Sequence, residues 1–350
     1  MVKVDIISGF LGAGKTTLIR ELLGDALKGQ QIVLIENEFG EIGIDGGFLK
    51  NAGIEIREMN SGCICCSLVG DFGQALKEVA QKYNPDRIII EPSGVGKLSD
   101  VIHAVERVKD EAGVVVNSAT TVVDVLKCGM YMKNFGEFFR NQVESAGTII
   151  LSRMDTDKAA RDTDKVSDAL KMIRELNPTA VVITTPVSVL GGKKVLDTME
   201  NGAVDLEKLE PVHEHHHGHD HDGHDHCHDG HDHCHDGHDH EHHHDGHDHC
   251  CHHHHADEVF DSWGQETPKK FTEEKIRGIL KELSDSAEYG TVLRAKGMVE
   301  GENGHWIYFD MVPEEADVRT GEPEYTGRIC VIGAKLNGQK LERLFGLDED

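Results

Sequence analysis

Apolar and polar positions follow two regimes along the 350-residue chain. In the first part, short apolar stretches, unbroken at 32–35 and 88–90, alternate with stretches of helical period. The apolar ones are residues 4–8, 32–35, 88–90, 148–151 and 181–184. Unbroken runs of this length suit strands covered on both faces, as in a parallel sheet. Helices are predicted over 16–27, 73–83, 134–145 and 162–176, the last with Val166, Leu170, Ile173 and Leu176 on one stripe. Strands alternating with helices predict an α/β fold with a mostly parallel sheet and right-handed crossovers. The pattern changes after residue 257. A helix over 271–283, strands over 292–298, 305–311 and 328–332, and a helix over 339–345 predict a small α+β domain.

Residues 213–255 fit neither regime. They comprise 23 His, 11 acidic residues, 5 Gly and 4 Cys, and Gly-His-Asp-His recurs from Gly218, Gly223, Gly230, Gly237 and Gly246. With no aliphatic or aromatic residue the segment cannot bury a core, so disorder is expected in the absence of a ligand. The expected organisation is a domain over 1–210, a His-rich linker over 211–257 and a second domain over 258–350.

Charge narrows the function. The chain carries 63 acidic and 36 basic side chains, a formal −27. That argues against binding a nucleic-acid backbone, which needs a basic patch. No apolar run approaches the roughly 20 residues of a membrane helix, so no membrane span is expected. A phosphate-loop pattern begins at residue 9 and leaves no room for a secretory leader, so a cytoplasmic setting is expected. There the nine cysteines read as thiols or ligands rather than disulfides. The isolated Cys128 and Cys330 read as core thiols.

The pattern is Gly9-Phe10-Leu11-Gly12-Ala13-Gly14-Lys15-Thr16, a G-x-x-x-x-G-K-[ST] motif between a predicted strand and helix. Glycines let backbone N–H groups wrap phosphates, and the helix that follows directs its positive dipole end at them. Lys15 suits the terminal phosphate oxygens and Thr16 a Mg²⁺ ion. Gly9, Gly12, Ala13, Gly14, Lys15, Thr16 and Thr17 are the expected nucleotide contacts. The fold class is thus a P-loop NTPase. After strand 148–151 come Ser152-Arg153-Met154-Asp155, at the place of the guanine-reading N-K-x-D. Asp155 suits the guanine N1–H and amine, and Arg153 can stack on a base as lysine does. GTP is favoured over ATP; the competing reading makes Asp155 a cap of the next helix. Strand 88–90 leads into Glu91-Pro92-Ser93-Gly94, where Glu91 suits a Mg²⁺-holding carboxylate and the Gly94 N–H a γ-phosphate sensor. Glu36-Asn37-Glu38-Phe39-Gly40-Glu41-Ile42-Gly43-Ile44-Asp45 holds four acids in ten residues, costly beside phosphates unless cations are present. Glu41 is the candidate metal ligand among them, and a solvated acidic loop is the alternative.

Gly62-Cys63-Ile64-Cys65-Cys66 packs three thiols into four residues. This reads as soft-metal binding or redox chemistry, with Zn²⁺ suited and Cu(I), Co²⁺ or Ni²⁺ open. Structural buried thiols are the alternative. The 23 imidazoles from His213 to His255 are good ligands for the same ions, so the tract reads as a metal store or collecting arm. A linker expanded by repeat slippage is the blander reading.

In combination, GFLGAGKTT (9–17), ENEFGEIGID (36–45), GCICC (62–66) and EPSG (91–94), with RAKG (294–297) and GRICVIG (327–333), resemble the CobW family of P-loop GTPases. The resemblance covers nearly all of the chain outside the His tract. It implies a GTPase metallochaperone, with metal on Cys63, Cys65 and Cys66, phosphate on residues 12–17 and guanine at 152–155, where Ser152 and Arg153 depart from the family pattern. It also implies slow GTP hydrolysis gating transfer of Zn²⁺ or Co²⁺ to a client metalloprotein, and leaves a homodimer open. A passive metal buffer with a vestigial nucleotide site, and an ATP-dependent enzyme of small-molecule metabolism, are the competing classes.

Overall fold

The computed structural model describes residues 1–37, 55–59, 69–202, 204 and 259–348. The expectations for Glu41, for Cys63, Cys65 and Cys66, and for the His tract lie outside these residues.

The nucleotide half is built from β1 (Val2–Gly9), α1 (Lys15–Gly24), β2 (Ile32–Asn37), β3 (Glu55–Met59), α2 (Val69–Tyr83), β4 (Arg87–Glu91), α3 (Leu98–Ala112), β5 (Val114–Asp124), α4 (Cys128–Glu144), β6 (Thr148–Ser152), α5 (Asp157–Arg161), α6 (Thr163–Leu176), β7 (Val181–Ile183), α7 (Val187–Leu190) and α8 (Gly192–Asn201). Its seven described strands lie in the order β3-β2-β4-β1-β5-β6-β7, every neighbouring pair parallel. The unbroken apolar runs follow from cover on both faces. Ile6, Val33, Ile35, Ile88 and Ile90 enter one core cluster, while Ile7, Ile32, Leu34 and Ile89 enter the other. Successive side chains point to opposite faces of a strand, so each run feeds both.

The longest strand of this sheet, β5, escapes the sequence pattern. It carries Ser118, Thr120, Thr121 and Asp124, all buried, among its valines. Those polar letters break the apolar run; Thr121 Oγ1 donates to the Gln142 carbonyl at 2.6 Å and Ser118 Oγ to Asp5 at 2.7 Å. The pattern also passes over β3, α3 and α8. The first helix stops at Gly24, three residues short of expectation, and α4 begins at Cys128, with a non-helical Phe135 (φ −139°) inside it. On α6, Ile173 is buried as expected, with Val166, Leu170 and Leu176 partly so.

The C-terminal half comprises β8 (Asp261–Thr267), β9 (Lys270–Phe271), α9 (Glu273–Asp285), β10 (Thr291–Gly301), β11 (Trp306–Val312), β12 (Glu315–Gly321), β13 (Gly327–Ala334) and α10 (Gly338–Phe345). Strand order is β12-β11-β10-β13-β8 with antiparallel neighbours, and β9 joins β10 in parallel. Phe271 lies in β9, and α9 starts after Thr272, whose side chain accepts from the Lys275 N–H at 3.1 Å as N-cap. One face packs Ala295, Val299 and Phe309 against Ile276, Ile279 and Leu280 of α9. The other sends Leu293, Met298, Trp306, Cys330 and Ile332 into the core of the parallel half. Phe260 fixes the seam, with its ring 5.0 Å from Phe138, 5.2 Å from Phe135 and 6.4 Å from Phe10. The two halves therefore pack as one body. No described helix is long and apolar enough to cross a membrane.

At the N-terminal edge of the parallel sheet, charges close on one another. Arg87, at the start of β4, pairs with Asp5 of β1 and with Glu200 of α8 (2.5 Å). Asp5 also accepts from Ser118 Oγ at 2.7 Å and Asn117 Nδ2 at 2.8 Å. Burial alone would lower the Arg87 pKa, but the charge of Asp5 and the hydrogen bonds to Glu200 and Asp5 outweigh it and raise the value.

Candidate functional site

The opposite edge carries the phosphate loop. The chain leaves β1 at Gly9 and enters α1 at Lys15, with Gly9, Gly12 and Gly14 at φ of 142°, 71° and 104°. These are backbone settings that side chains resist. The first turn of α1 holds no acidic residue, and its cap, Gly14, brings no side chain, so the helix amides face the loop. Phe10 and Leu11 are buried and pin the loop from beneath: Tyr131 Oη donates to the Leu11 carbonyl at 3.2 Å, and the Phe10 and Tyr131 rings lie 4.3 Å apart. Lys15 Nζ donates to the Gly9 carbonyl at 3.0 Å and to that of Phe10 at 3.5 Å. The lysine is thus folded back along the loop, where it can reach oxygens bound within it.

Thr16 and Glu91, expected to share an ion, come together. Thr16 Oγ1 donates to the Glu91 carboxylate at 3.1 and 3.3 Å. Glu36, buried at the end of β2, stands in register with Glu91 on β4. A hydroxyl beside a carboxylate, with a second carboxylate on the adjoining strand, is an all-oxygen donor set of the kind a hard divalent cation takes. Gly94 approaches the phosphate loop so closely that a Cβ there would meet the Leu11 nitrogen at 2.9 Å. Gln142 holds this stretch, its Nε2 donating to the carbonyls of Gly94 (3.1 Å) and Gly96 (2.8 Å).

The base-reading turn begins at the end of β6. Ser152 Oγ donates to the Val123 carbonyl at 3.3 Å, and its Cβ faces Gly14. Arg153 adopts a left-handed backbone (φ 65°). Asp155 is exposed, and the cap of the following helix is Thr156, whose Oγ1 accepts from the Ala159 N–H at 3.2 Å. The competing capping role for Asp155 is therefore filled by its neighbour. Sequence reasoning missed the charges around Arg153: Asp124 (3.9 Å), Glu315 of the C-terminal half (2.9 Å), and Lys127, itself 3.8 Å from Glu315. Burial pushes the Asp124 carboxyl up and the Lys127 amine down. A charged residue at the end of the central β5 would have flagged Asp124, had that strand been recognised. Cys128 is buried, as expected of a core thiol, and burial pushes it up to about 12. Cys330 is buried as well.

A strand–loop–helix with this lysine, hydroxyl and carboxylate defines a P-loop nucleotide-binding protein. Residues 3–183 match the family model of the CobW/HypB/UreG nucleotide-binding domain, and residues 260–346 match the cobalamin synthesis protein CobW C-terminal domain. The chain belongs to the CobW family. A zinc chaperone CobW from a Sinorhizobium species is 43% identical over 130 residues, covering 35% of this chain and 36% of the relative. A zinc chaperone CobW from Pseudomonas aeruginosa is 33% identical over 183 residues, covering 43% and 48%. The chain thus spans about a third to a half of the length of these relatives. The crystal structure of Zn(II)-bound YjiA GTPase from E. coli aligns with all of this chain and 99% of its own, at 20% identity and a TM-score of 0.40.

Proposed function

We propose that the chain is a cytoplasmic GTP-hydrolysing metallochaperone. It takes a transition-metal ion, zinc first, on Cys63, Cys65 and Cys66 and passes it to a client protein, and nucleotide state gates release. The observation that carries this reading is the meeting of Thr16 and Glu91 at 3.1 Å beside the folded-back Lys15. These residues fit a Mg²⁺–nucleotide pair: Thr16 and Glu91, with Glu36 alongside, would hold the ion, which neutralises phosphate charge when bound. Lys15 and the α1 amides bind the phosphates, and Asp155 and Arg153 receive the base. The Glu91–Gly96 stretch responds to the terminal phosphate, because its backbone touches the loop at Leu11 and is tied to α4 by Gln142. The coupling to metal is supported by topology. β3 is parallel to β1 and ends on the phosphate-loop edge at Met59, four residues before Cys63 in the sequence. The names of the relatives favour zinc as cargo. Turnover is slow until a client or metal assists.

GTPase rates with and without Zn²⁺, in the wild type and in Cys63→Ser/Cys65→Ser/Cys66→Ser, test this. Zinc is expected to change the rate only in the wild type. Equal rates in all four conditions overturn the coupling, and no GTP turnover in any of them favours a passive metal buffer.

A further inference from the structure

The end of β11 and the start of β12 sit on the nucleotide half beside the base-reading turn. A Cβ on Gly12 would lie 2.5 Å from Val312 Cγ1, so the phosphate loop and this hairpin are in direct contact. Two residues further on, Glu314 pairs with Lys158 of α5, and Glu315 places a carboxylate oxygen 2.9 Å from Arg153 Nη1. Arg153 is fixed twice. Its carbonyl accepts from Thr156 Oγ1 at 2.8 Å and from the Thr156 N–H at 3.3 Å, which holds the left-handed turn. Its guanidinium lies between Glu315 and the buried Asp124. A bulky residue at positive φ is held there only by surrounding structure, and such settings gather at ligand clamps. Here part of that surrounding structure belongs to the C-terminal half.

We infer that Glu315 is a positioning residue for nucleotide recognition. It orients the Arg153 side chain over the base bound at Asp155, so that preference for guanine depends on the docked C-terminal half. The inference rests on the GTP reading above. By linkage, GTP in turn tightens the hairpin contact.

The test is displacement of a fluorescent GTP analogue by GTP and by ATP from the full chain. The variants are Glu315→Gln, Glu315→Asp, Glu314→Gln, Arg153→Ala and Glu315→Gln/Arg153→Ala, each checked for folding by thermal melting. Glu315→Gln is expected to weaken GTP about fivefold and to narrow the GTP-over-ATP ratio, with no further loss in the Arg153→Ala background. Glu315→Asp recovers part of the ratio, and Glu314→Gln, which removes a hairpin charge that does not touch Arg153, leaves it unchanged. Equal losses from Glu314→Gln and Glu315→Gln, or a full additional loss in the double variant, overturn the positioning role in favour of simple docking. An unchanged ratio in Glu315→Gln, with the wild type still preferring GTP, overturns it as well. A wild type that binds ATP as tightly as GTP overturns the GTP reading itself.

Discussion

The five residues of β4 set an arginine at one edge of the parallel sheet and a glutamate at the other. Arg87 is locked between Asp5 and Glu200, charge against charge inside the fold. Glu91 accepts from the Thr16 hydroxyl, while Lys15 leans on backbone carbonyls. Both edges bury costly groups, but they solve the problem differently. At the Arg87 edge the opposite charges sit side by side. At the Glu91 edge the carboxylate accepts from the Thr16 hydroxyl, and the Lys15 amine donates to the backbone carbonyls of Gly9 and Phe10. The first edge closes its charges on one another, whereas the second gathers the side chains of the phosphate motif.

Three measurements can break that contrast. The largest effect is expected from Arg87→Met, which strands the Asp5 carboxylate and should cost about 3–5 kcal/mol in urea unfolding. Adding Asp5→Asn should recover part of the loss, and GTP affinity should stay within about twofold wherever the variant folds. A fall in affinity without a fall in stability would show the Arg87 edge to be functional. Next comes Lys15→Ala, expected to weaken GTP about 100-fold by removing charge-assisted hydrogen bonds, while stability changes by less than about 1 kcal/mol. Titration calorimetry and thermal melting of the same sample separate the two effects.

The smallest effect is in pH. At Glu200, burial pushes the carboxyl up, but the hydrogen bond and charge of Arg87, with those of Lys3, outweigh it and hold it low. Its contribution is present above the ordinary carboxylate range and is lost as pH falls through the lowered value. Asp124 is raised by burial, so its contribution has the opposite sign: present below the ordinary range and lost as pH rises through the raised value. Glu200→Gln should therefore flatten the acid limb of a stability–pH curve, and Asp124→Asn should raise the neutral limb. Matching slopes in the two variants would sharpen nothing and would contradict the pairings described.

Much of this architecture was legible in the chain. Where isoleucines and valines run unbroken, as in Ile88, Ile89 and Ile90, cover on both faces leaves a signature that needs no partner strand to read. The strand–loop–helix of the phosphate motif and the approach of Thr16 to Glu91 were legible too. What escaped was cooperative. In β5, Ser118 and Thr121 look like surface residues until Asp5 and Gln142 supply their partners. At the sheet edges, β12 buries only Val318 and β8 only Trp263 and Thr267, too little for an alternating pattern. Gln142, Asp124 and Glu315 act on the site from elements distant in sequence, and no spacing rule links Arg153 to a glutamate 162 positions later.

The aromatic seam has a consequence for the order of synthesis. Phe10 lies inside the phosphate loop, and its ring is covered partly by Phe260, which follows all of β1 to α8 in the chain. A ribosome adding about 5–20 residues per second finishes the parallel half several seconds before Phe260 emerges. During that interval Phe10, Phe135 and Phe138 present an uncapped apolar wall at the root of the nucleotide loop, a target for holdase chaperones and for self-association. Fragments that stop before residue 260 would keep that wall permanently. The phosphate loop thus waits on a side chain made about 250 residues later to be sealed from water.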